Sequence, residues 1–288
     1  MIPVKKLFLV AFVVFFLISG CLENGGEEVE LSPSEMSPGI TKATLSSPNI
    51  NPDRPIRVEA RVENNNLFKA EDIEVEISGL YPLSLDEGEE TVCEIEELDP
   101  YLLDTDIGGG IDYCEWDIVC DTDECITISE NYPQPYTVDF DLEISYETEV
   151  ADVEEGLEVR FLPLEDLRED DISEETYVGE NGDISITSSY KTPVPAEEEK
   201  FHKDLRIENV GRGSLVDEEI EIDYSGTLLG KIDNPDECGS LFISEDRIST
   251  ETTCTYSISD TLPENVYDLV VRGNYKYEEK ENIEIDIT

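Results

Sequence analysis

The sequence contains a single histidine, His202, and this scarcity excludes most common catalytic arrangements. A Ser-His-Asp triad cannot form without that residue, and the chain has neither an HExxH pair nor a glycine-rich phosphate loop. His202 lies on the polar side of a predicted strand, where a solvated imidazole is more typical than a general base. Carboxylate pairs are abundant, but nothing marks one pair as special. We therefore expect a protein that is not an enzyme.

Basic residues are also scarce, with 19 Lys and Arg against 71 Asp and Glu, a net charge of −52. Such a surface repels nucleic acid and anionic lipid headgroups, so we expect no nucleic-acid partner. It attracts cations and basic partners. A salt-rich habitat is the simpler explanation, because dense carboxylates keep a protein soluble there. The chain is 39% hydrophobic with periodic apolar residues, which argues against disorder.

Apolar runs of membrane-spanning length are absent. Two lysines precede the apolar run 7–18, which is shorter than the ~20 residues a span needs, and small residues follow it. This order predicts an export signal at 1–20. Ile18-Ser19-Gly20-Cys21 resembles the lipobox of prokaryotic lipoproteins, which implies cleavage after Gly20, lipid on Cys21 and anchoring at the outer face of the cell membrane. The alternatives are a plain signal peptide with an incidental cysteine, or an uncleaved anchor.

Alternation of apolar and polar residues begins near residue 40. Before it, residues 21–38 are polar, charged and rich in Ser and Pro, and they predict a flexible tether. Segments 56–63, 73–77 and 138–146 place an apolar residue at every second position, which puts one set on each face of a strand. Many short two-faced strands separated by turn formers predict an all-β fold of antiparallel β-sandwiches.

The strand pattern occurs twice in the same order, which predicts an internal duplication. The matches are 61–64 with 206–209, 73–79 with 220–226, Cys93 with Cys238, 114–118 with 254–258, and Tyr146 with Tyr275. We therefore predict a sandwich domain at 39–164 and another at 182–288. The acidic segment 165–181 between them is predicted to be a linker. The alternative is that this segment contains a short helix. We expect few contacts across it and a separate core in each half.

The repeated unit resembles the CARDB-type (cell-adhesion-related) and similar immunoglobulin-like modules of prokaryotic surface proteins. The resemblance rests on Ser-Pro-Asn-Ile-Asn-Pro-Asp-Arg-Pro at 47–55, the strand Val-Glu-Ala-Arg-Val-Glu-Asn at 58–64, and a return strand ending at Ser78-Gly79. It implies two tandem immunoglobulin-like sandwiches that act as spacers or binding modules. It also implies a surface lipoprotein, of a salt-adapted archaeal type, but no particular ligand.

Six cysteines remain after Cys21, and an even number outside the cytoplasm favours disulfides. The second copy contains only Cys238 and Cys254, which pair if each domain is self-contained. The duplication then pairs Cys93 with Cys114 and leaves Cys120 with Cys125. The rival is a zinc site made by the four cysteines of the first copy. Their spacing is looser than that of a usual zinc ribbon, and the predicted compartment is oxidising.

A weak calcium loop is the one cofactor site that the sequence suggests. Asp104, Asp106 and Asp112 surround three glycines at 108–110, and Ca²⁺ prefers several converging oxygens. The spacing departs from the twelve-residue helix–loop–helix pattern, because Gly108 occupies the third ligand position. Such clusters also arise by chance in a chain this acidic. We predict no other cofactor.

The leading interpretation is a non-enzymatic envelope protein. It presents two disulfide-braced sandwiches for adhesion, for surface assembly or as an accessory subunit. Its partners would be the membrane, through the lipid on Cys21, and a surface protein or polysaccharide. The alternatives are a substrate-capture lipoprotein of a transporter, although those are usually α/β clamshells, and a secreted hydrolase with a carboxylate-only site. A concave apolar cleft would favour the alternatives, whereas shallow grooves on convex sandwiches favour the leading interpretation.

Overall fold

Strand formation follows the alternation of apolar and polar side chains. In the strand Ile56–Asn64 every second side chain is buried, and the residues between them are exposed or half-buried. The computed structural model describes residues 28–29, 38–46, 49–50, 54–101, 109–120, 125, 136–152, 157–233, 238–243, 248–258, 262–263 and 265–287. Nearly all of these residues lie in strands or the turns between them, which confirms the predicted all-β fold with antiparallel sheets.

The described residues form twenty strands. Those of the first half are β1 (Glu28–Val29), β2 (Pro38–Leu45), β3 (Asn49–Ile50), β4 (Ile56–Asn64), β5 (Ala70–Ser78), β6 (Ser84–Leu85), β7 (Val92–Leu98), β8 (Ile111–Val119), β9 (Tyr136–Ala151) and β10 (Leu157–Leu162). Those of the second half are β11 (Ser173–Glu180), β12 (Ile184–Thr192), β13 (Val194–Pro195), β14 (Lys200–Asn209), β15 (Ser214–Leu215), β16 (Glu219–Ser225), β17 (Ile232–Asp233), β18 (Ser240–Phe242), β19 (Ser249–Ile258) and β20 (Asn265–Ile287).

Two outer sheets have matching topology, as an internal duplication predicts. The first has the order β1-β2-β4-β8-β6 and the second the order β11-β12-β14-β19-β17. All pairings in both are antiparallel. In each sheet the strand that closes on an Asn, β4 or β14, occupies the centre. Part of the predicted tether belongs to the first sheet, because Glu28 and Val29 pair with β2.

A ten-stranded sheet, which we call the middle sheet, contains strands of both halves. Its main path is β13-β10-β20-β9-β5-β7, with β3, β15, β16 and β18 attached beside it. The disulfide Cys93–Cys114 joins β7 of this sheet to β8 of the first outer sheet. The rings of Tyr224 in β16 and Tyr256 in β19 make an edge contact between the middle sheet and the second outer sheet. The buried hydrophobic residues of both halves form one continuous cluster.

The longest pairing in the described part of the chain runs between β9 and β20. Residues 136–151 of β9 pair in antiparallel register with residues 272–287 of β20. The C-terminal part of β20 therefore completes the middle sheet on the side of the first half. In exchange, β10 from the first half pairs with residues 265–269 at the start of β20. The two halves are interlocked, so the expectation of few contacts between them does not hold.

The predicted linker 165–181 contains regular structure. A short 3₁₀ helix spans Glu169–Asp171, and β11 pairs with β12 along its whole length. β11 is an edge strand whose side chains are exposed or half-buried, so its sequence lacks the apolar face that identifies an inner strand. Acidic side chains are common on edge strands because they discourage further pairing. Whether each half folds on its own stays a prediction. No helix in the described ranges is long and apolar enough to cross a membrane.

Replacing Ile283 tests the exchange of strands between the halves. Its side chain is 1% exposed and lies opposite Phe140 of β9. Ile283→Ala should lower the free energy of unfolding by about 3 kcal/mol through a cavity. The only tryptophan, Trp116, lies in β8 of the first half, so its fluorescence should report this loss in a urea titration.

Glu284→Ala is the matched control, because the neighbouring side chain is exposed. Its effect should stay within about 0.5 kcal/mol. An Ile283→Ala protein whose Trp116 transition is unchanged would show that the C-terminal strand does not belong to the first half.

Candidate functional site

Two of the three disulfides brace equivalent positions in the two halves. The structure pairs the same cysteines as the sequence analysis does: Cys93 with Cys114, Cys120 with Cys125, and Cys238 with Cys254. Cysteines in disulfides are not thiolates, so these pairings leave no four-thiolate zinc site. Three disulfides are typical of an oxidising, extracytoplasmic compartment.

The remaining predicted site residues do not converge in the described part of the chain. Cys21, Asp104 and Asp106 lie outside the described residues. Asp112 lies near the start of β8, where its Oδ1 accepts a hydrogen bond from the backbone N–H of Tyr113 at 2.8 Å. Among the described residues no group of three or more His, Cys, Asp and Glu could hold a metal ion. The calcium loop therefore stays a prediction.

His202 occupies the position that the alternation of β14 predicts. Its side chain is on the exposed face of that strand, and its Nδ1 lies 3.0 Å from the hydroxyl of Thr255 on β19. This contact links the exposed faces of β14 and β19. The absence of an enzyme activity remains an expectation.

The outer face of the middle sheet carries rows of carboxylates, which we call the acidic face. Glu71 of β5 lies opposite Glu97 of β7 on one side and opposite Glu147 of β9 on the other. Lys276 of β20 lies opposite Glu147 and continues the row. The acidic face includes Glu71, Glu74, Glu76, Glu94, Glu97, Asp141, Glu143 and Glu147. Like charges directly opposite one another destabilise a sheet, so this arrangement lowers the stability of the fold.

Lysines neutralise only part of this row. The Nζ of Lys69 lies 2.7 Å from Glu71 and also contacts Glu97. These hydrogen bonds raise the pKa of Lys69, so its ammonium stays charged at every physiological pH. Lys280 pairs with Asp141 at 2.9 Å further along β20, which lowers the pKa of that carboxyl. Lys276 forms no ion pair with any described residue.

A groove opens beside this row, where strands of both halves meet. Its volume is about 610 Å³. One wall comes from β5 and β9 and the other from β16 and β20. The residues lining this acidic groove are Lys69, Glu71, Glu147, Thr148, Glu149, Asp217, Glu219, Glu221, Asn274, Tyr275 and Lys276. Six carboxylates and two lysines give the groove a net negative charge. It is suited to holding cationic groups, and histidine, cysteine and serine are absent from its described lining.

A buried polar network beneath the groove holds its two walls together. Tyr146 of β9 donates to Asp183 Oδ2 at 2.6 Å, and Asn181 donates to the carbonyl of Glu149 at 2.8 Å and contacts the hydroxyl of Tyr275. Burial raises the pKa of Tyr146 and of Tyr275 well above 10, and the nearby Asp183 charge adds to both shifts. Both phenols therefore remain protonated, and Tyr146 remains a donor.

Tyr146 and Tyr275 are predicted repeat positions, whereas Asn181 and Asp183 are not among the predicted site residues. The sequence signal that could have indicated them is Asn181-Gly182-Asp183, a turn-forming triplet directly before a strand. In the structure Gly182 adopts a φ of +93° in this turn. Asn181 Oδ1 accepts from the backbone N–H of Ile184 at 3.0 Å, so the amide closes this turn while its nitrogen reaches across to β9. A local pattern could reveal the turn, but not its partners on distant strands.

Comparisons with known proteins provide no family for this chain. No protein-family model, curated protein or solved structure matches it. The resemblance to CARDB-type modules therefore stays an expectation. The acidic groove, the disulfides and the predicted export signal are the features that bear on function.

Proposed function

We propose that this chain is an exported, lipid-anchored, non-enzymatic envelope protein that binds a basic surface protein through its acidic groove. The observation that carries the proposal is the concentration of carboxylates on the acidic face, where strands of both halves meet. Glu74 opposite Glu94 and Glu76 opposite Glu143 lower the stability of the sheet. A cluster of like charges that lowers the stability of the fold is expected at a binding surface, because charges complementary to those of a partner speed and orient association.

The anchor is supported by the export signal, the lipobox-like Ile18–Cys21 segment and the three disulfides. The segment from Cys21 to Glu28, where β1 begins, spans at most about 25 Å when fully extended. A lipid on Cys21 would therefore keep the first outer sheet near the membrane surface. The protein would act close to the membrane, for surface assembly or adhesion rather than as a long projecting stalk.

The shape of the groove favours a binding module over the two alternatives. Substrate-capture proteins and hydrolases enclose small ligands in concave, largely apolar pockets. The acidic groove is open and lined by charged side chains. The smaller groove beside it, of about 220 Å³, is also lined by charged residues, among them Glu74, Glu143 and Glu278.

Cys21→Ser tests the anchor. Removing the thiol removes the proposed lipid attachment point, so the protein should leave the membrane fraction or remain unprocessed. Partition into detergent and intact mass measure both outcomes. Identical partition and identical processing in the wild type and the variant would contradict the lipid anchor.

A charge-neutralising variant tests the groove. Glu71→Gln, Glu147→Gln and Glu219→Gln together remove three groove charges and conserve side-chain size. Binding of a basic surface protein isolated from detergent-solubilised membranes should weaken by about tenfold, and 0.5 M salt should weaken wild-type binding similarly. Affinity is measured by titrating the isolated partner against each purified protein.

The matched control changes the same number of charges elsewhere. Glu158→Gln, Glu174→Gln and Glu198→Gln alter exposed acids outside the groove. This control should bind as the wild type does. Equal binding by both triple variants would contradict the groove as the binding site, and salt-insensitive binding of an uncharged polysaccharide would contradict a basic partner.

A further inference from the structure

The core of the second half contains a fully buried pair of ionisable side chains. Lys203 in β14 and Asp152 at the end of β9 are both 0% exposed. The Lys203 Nζ lies 2.6 Å from Asp152 Oδ2. The pair joins the second outer sheet to the middle sheet, and it therefore links the two faces of this sandwich.

The surroundings of Lys203 are apolar and aromatic. Phe201 and Leu205, two positions away on each side, point into the core from the same face of β14. The ring of Phe201 packs against Tyr256, which in turn makes an edge contact with Tyr224. Two charges in such an environment lose their hydration, which is expensive even when they are paired.

The first half shows that the fold does not need a charge at this position. The match of Arg206 with Arg61 places Lys203 in register with Val58, which is also 0% exposed. An apolar side chain thus fills the equivalent site in the first copy. Replacing buried ion pairs by apolar residues is often neutral or stabilising. Packing alone therefore does not explain the lysine.

The surroundings of the Lys203 Nζ favour a neutral amine. Among the described residues, the Lys203 Nζ has one acceptor, Asp152 Oδ2, whereas an ammonium has three N–H donors to satisfy. Burial lowers the pKa of Lys203, and the Asp152 charge only partly opposes this shift. A neutral amine has a lone pair, and it lies in contact with a carboxyl group.

The Asp152 carboxyl is held by donors on both oxygens. Oδ1 accepts from the backbone N–H of Val271 at 3.0 Å, and Oδ2 accepts from the hydroxyl of Ser188 at 2.8 Å as well as from Lys203. A donor on Oδ1 stabilises negative charge that develops there when a nucleophile adds to the carboxyl carbon. The hydroxyl of Ser188 orients the oxygen that would leave.

We propose that Lys203 and Asp152 condense to an amide, so that an isopeptide bond crosses the core of the second half. A proton first passes from the ammonium to Oδ2, which gives an amine and a carboxylic acid. The Nζ–Cγ bond then forms and the Cγ–Oδ2 bond breaks. Oδ2 leaves as water with the acid proton and one proton from Nζ. No oxidant or other reactant is required, and two buried charges disappear.

This bond would join β14 covalently to the end of β9, the strand that forms the long ladder with β20. It does not depend on the acidic groove or on any partner. A covalent link between the middle and outer sheets would hold the second sandwich closed under heat or mechanical load. It would also persist in the unfolded chain, which an ion pair does not.

Mass measurement on the full-length protein tests the proposal. After complete reduction and denaturation, the wild type should be lighter than its sequence and lipid require by the mass of one water molecule. A protease digest should contain one branched peptide that joins the segments carrying Asp152 and Lys203. Lys203→Met should have its full mass, whereas the surface control Lys231→Met should retain the loss of water.

The wild-type measurement does not depend on whether Lys203→Met folds. A reduced wild-type protein with its full mass and no branched peptide would overturn the isopeptide bond and leave a buried ion pair. A loss of water mapped to any other residue would also overturn it. A branched peptide in the wild type and in Lys231→Met, absent from Lys203→Met, would establish the bond.

Discussion

The antiparallel ladder between β9 and β20 is the constraint on which the rest of the structure depends. It pairs residues 136–151 of β9, in the first half, with residues 272–287 of β20, in the second half. A strand edge left without this partner would expose backbone donors and acceptors together with buried side chains such as Phe140 and Ile283. Each half therefore needs a strand from the other.

The polar features follow from this pairing. Because the ladder extends to Ala151, the next residue, Asp152, reaches the second core, where it meets Lys203. Tyr146 and Tyr275 lie on the neighbouring strands and meet the turn at Asn181–Asp183. The outer face of the same strands carries the acidic groove. One backbone arrangement thus positions both the candidate binding surface and the buried pair that we infer to be cross-linked.

Much of the local structure could be predicted from the sequence, because period-two alternation and the repeated cysteines are local signals. The strand pairings across the halves could not, since nothing in a local pattern says which edge a strand meets. β11 lies within the predicted linker because an edge strand needs no apolar face, so its sequence lacks the alternation that identifies a strand. The alternation of β14 places Lys203 on the same face as Phe201 and Leu205, but its partner Asp152 comes from a distant strand. The groove could not be predicted from a local pattern, because its lining comes mainly from four strands that are distant in sequence.

Hydrogen exchange measured segment by segment in the intact protein tests the central claim most directly. If the ladder joins the halves, the amides of 276–287 should exchange as slowly as those of the central strand β4, through the same global unfolding. Rapid exchange throughout 276–287, as for a frayed C-terminus, while β4 stays protected would contradict the interlocked fold.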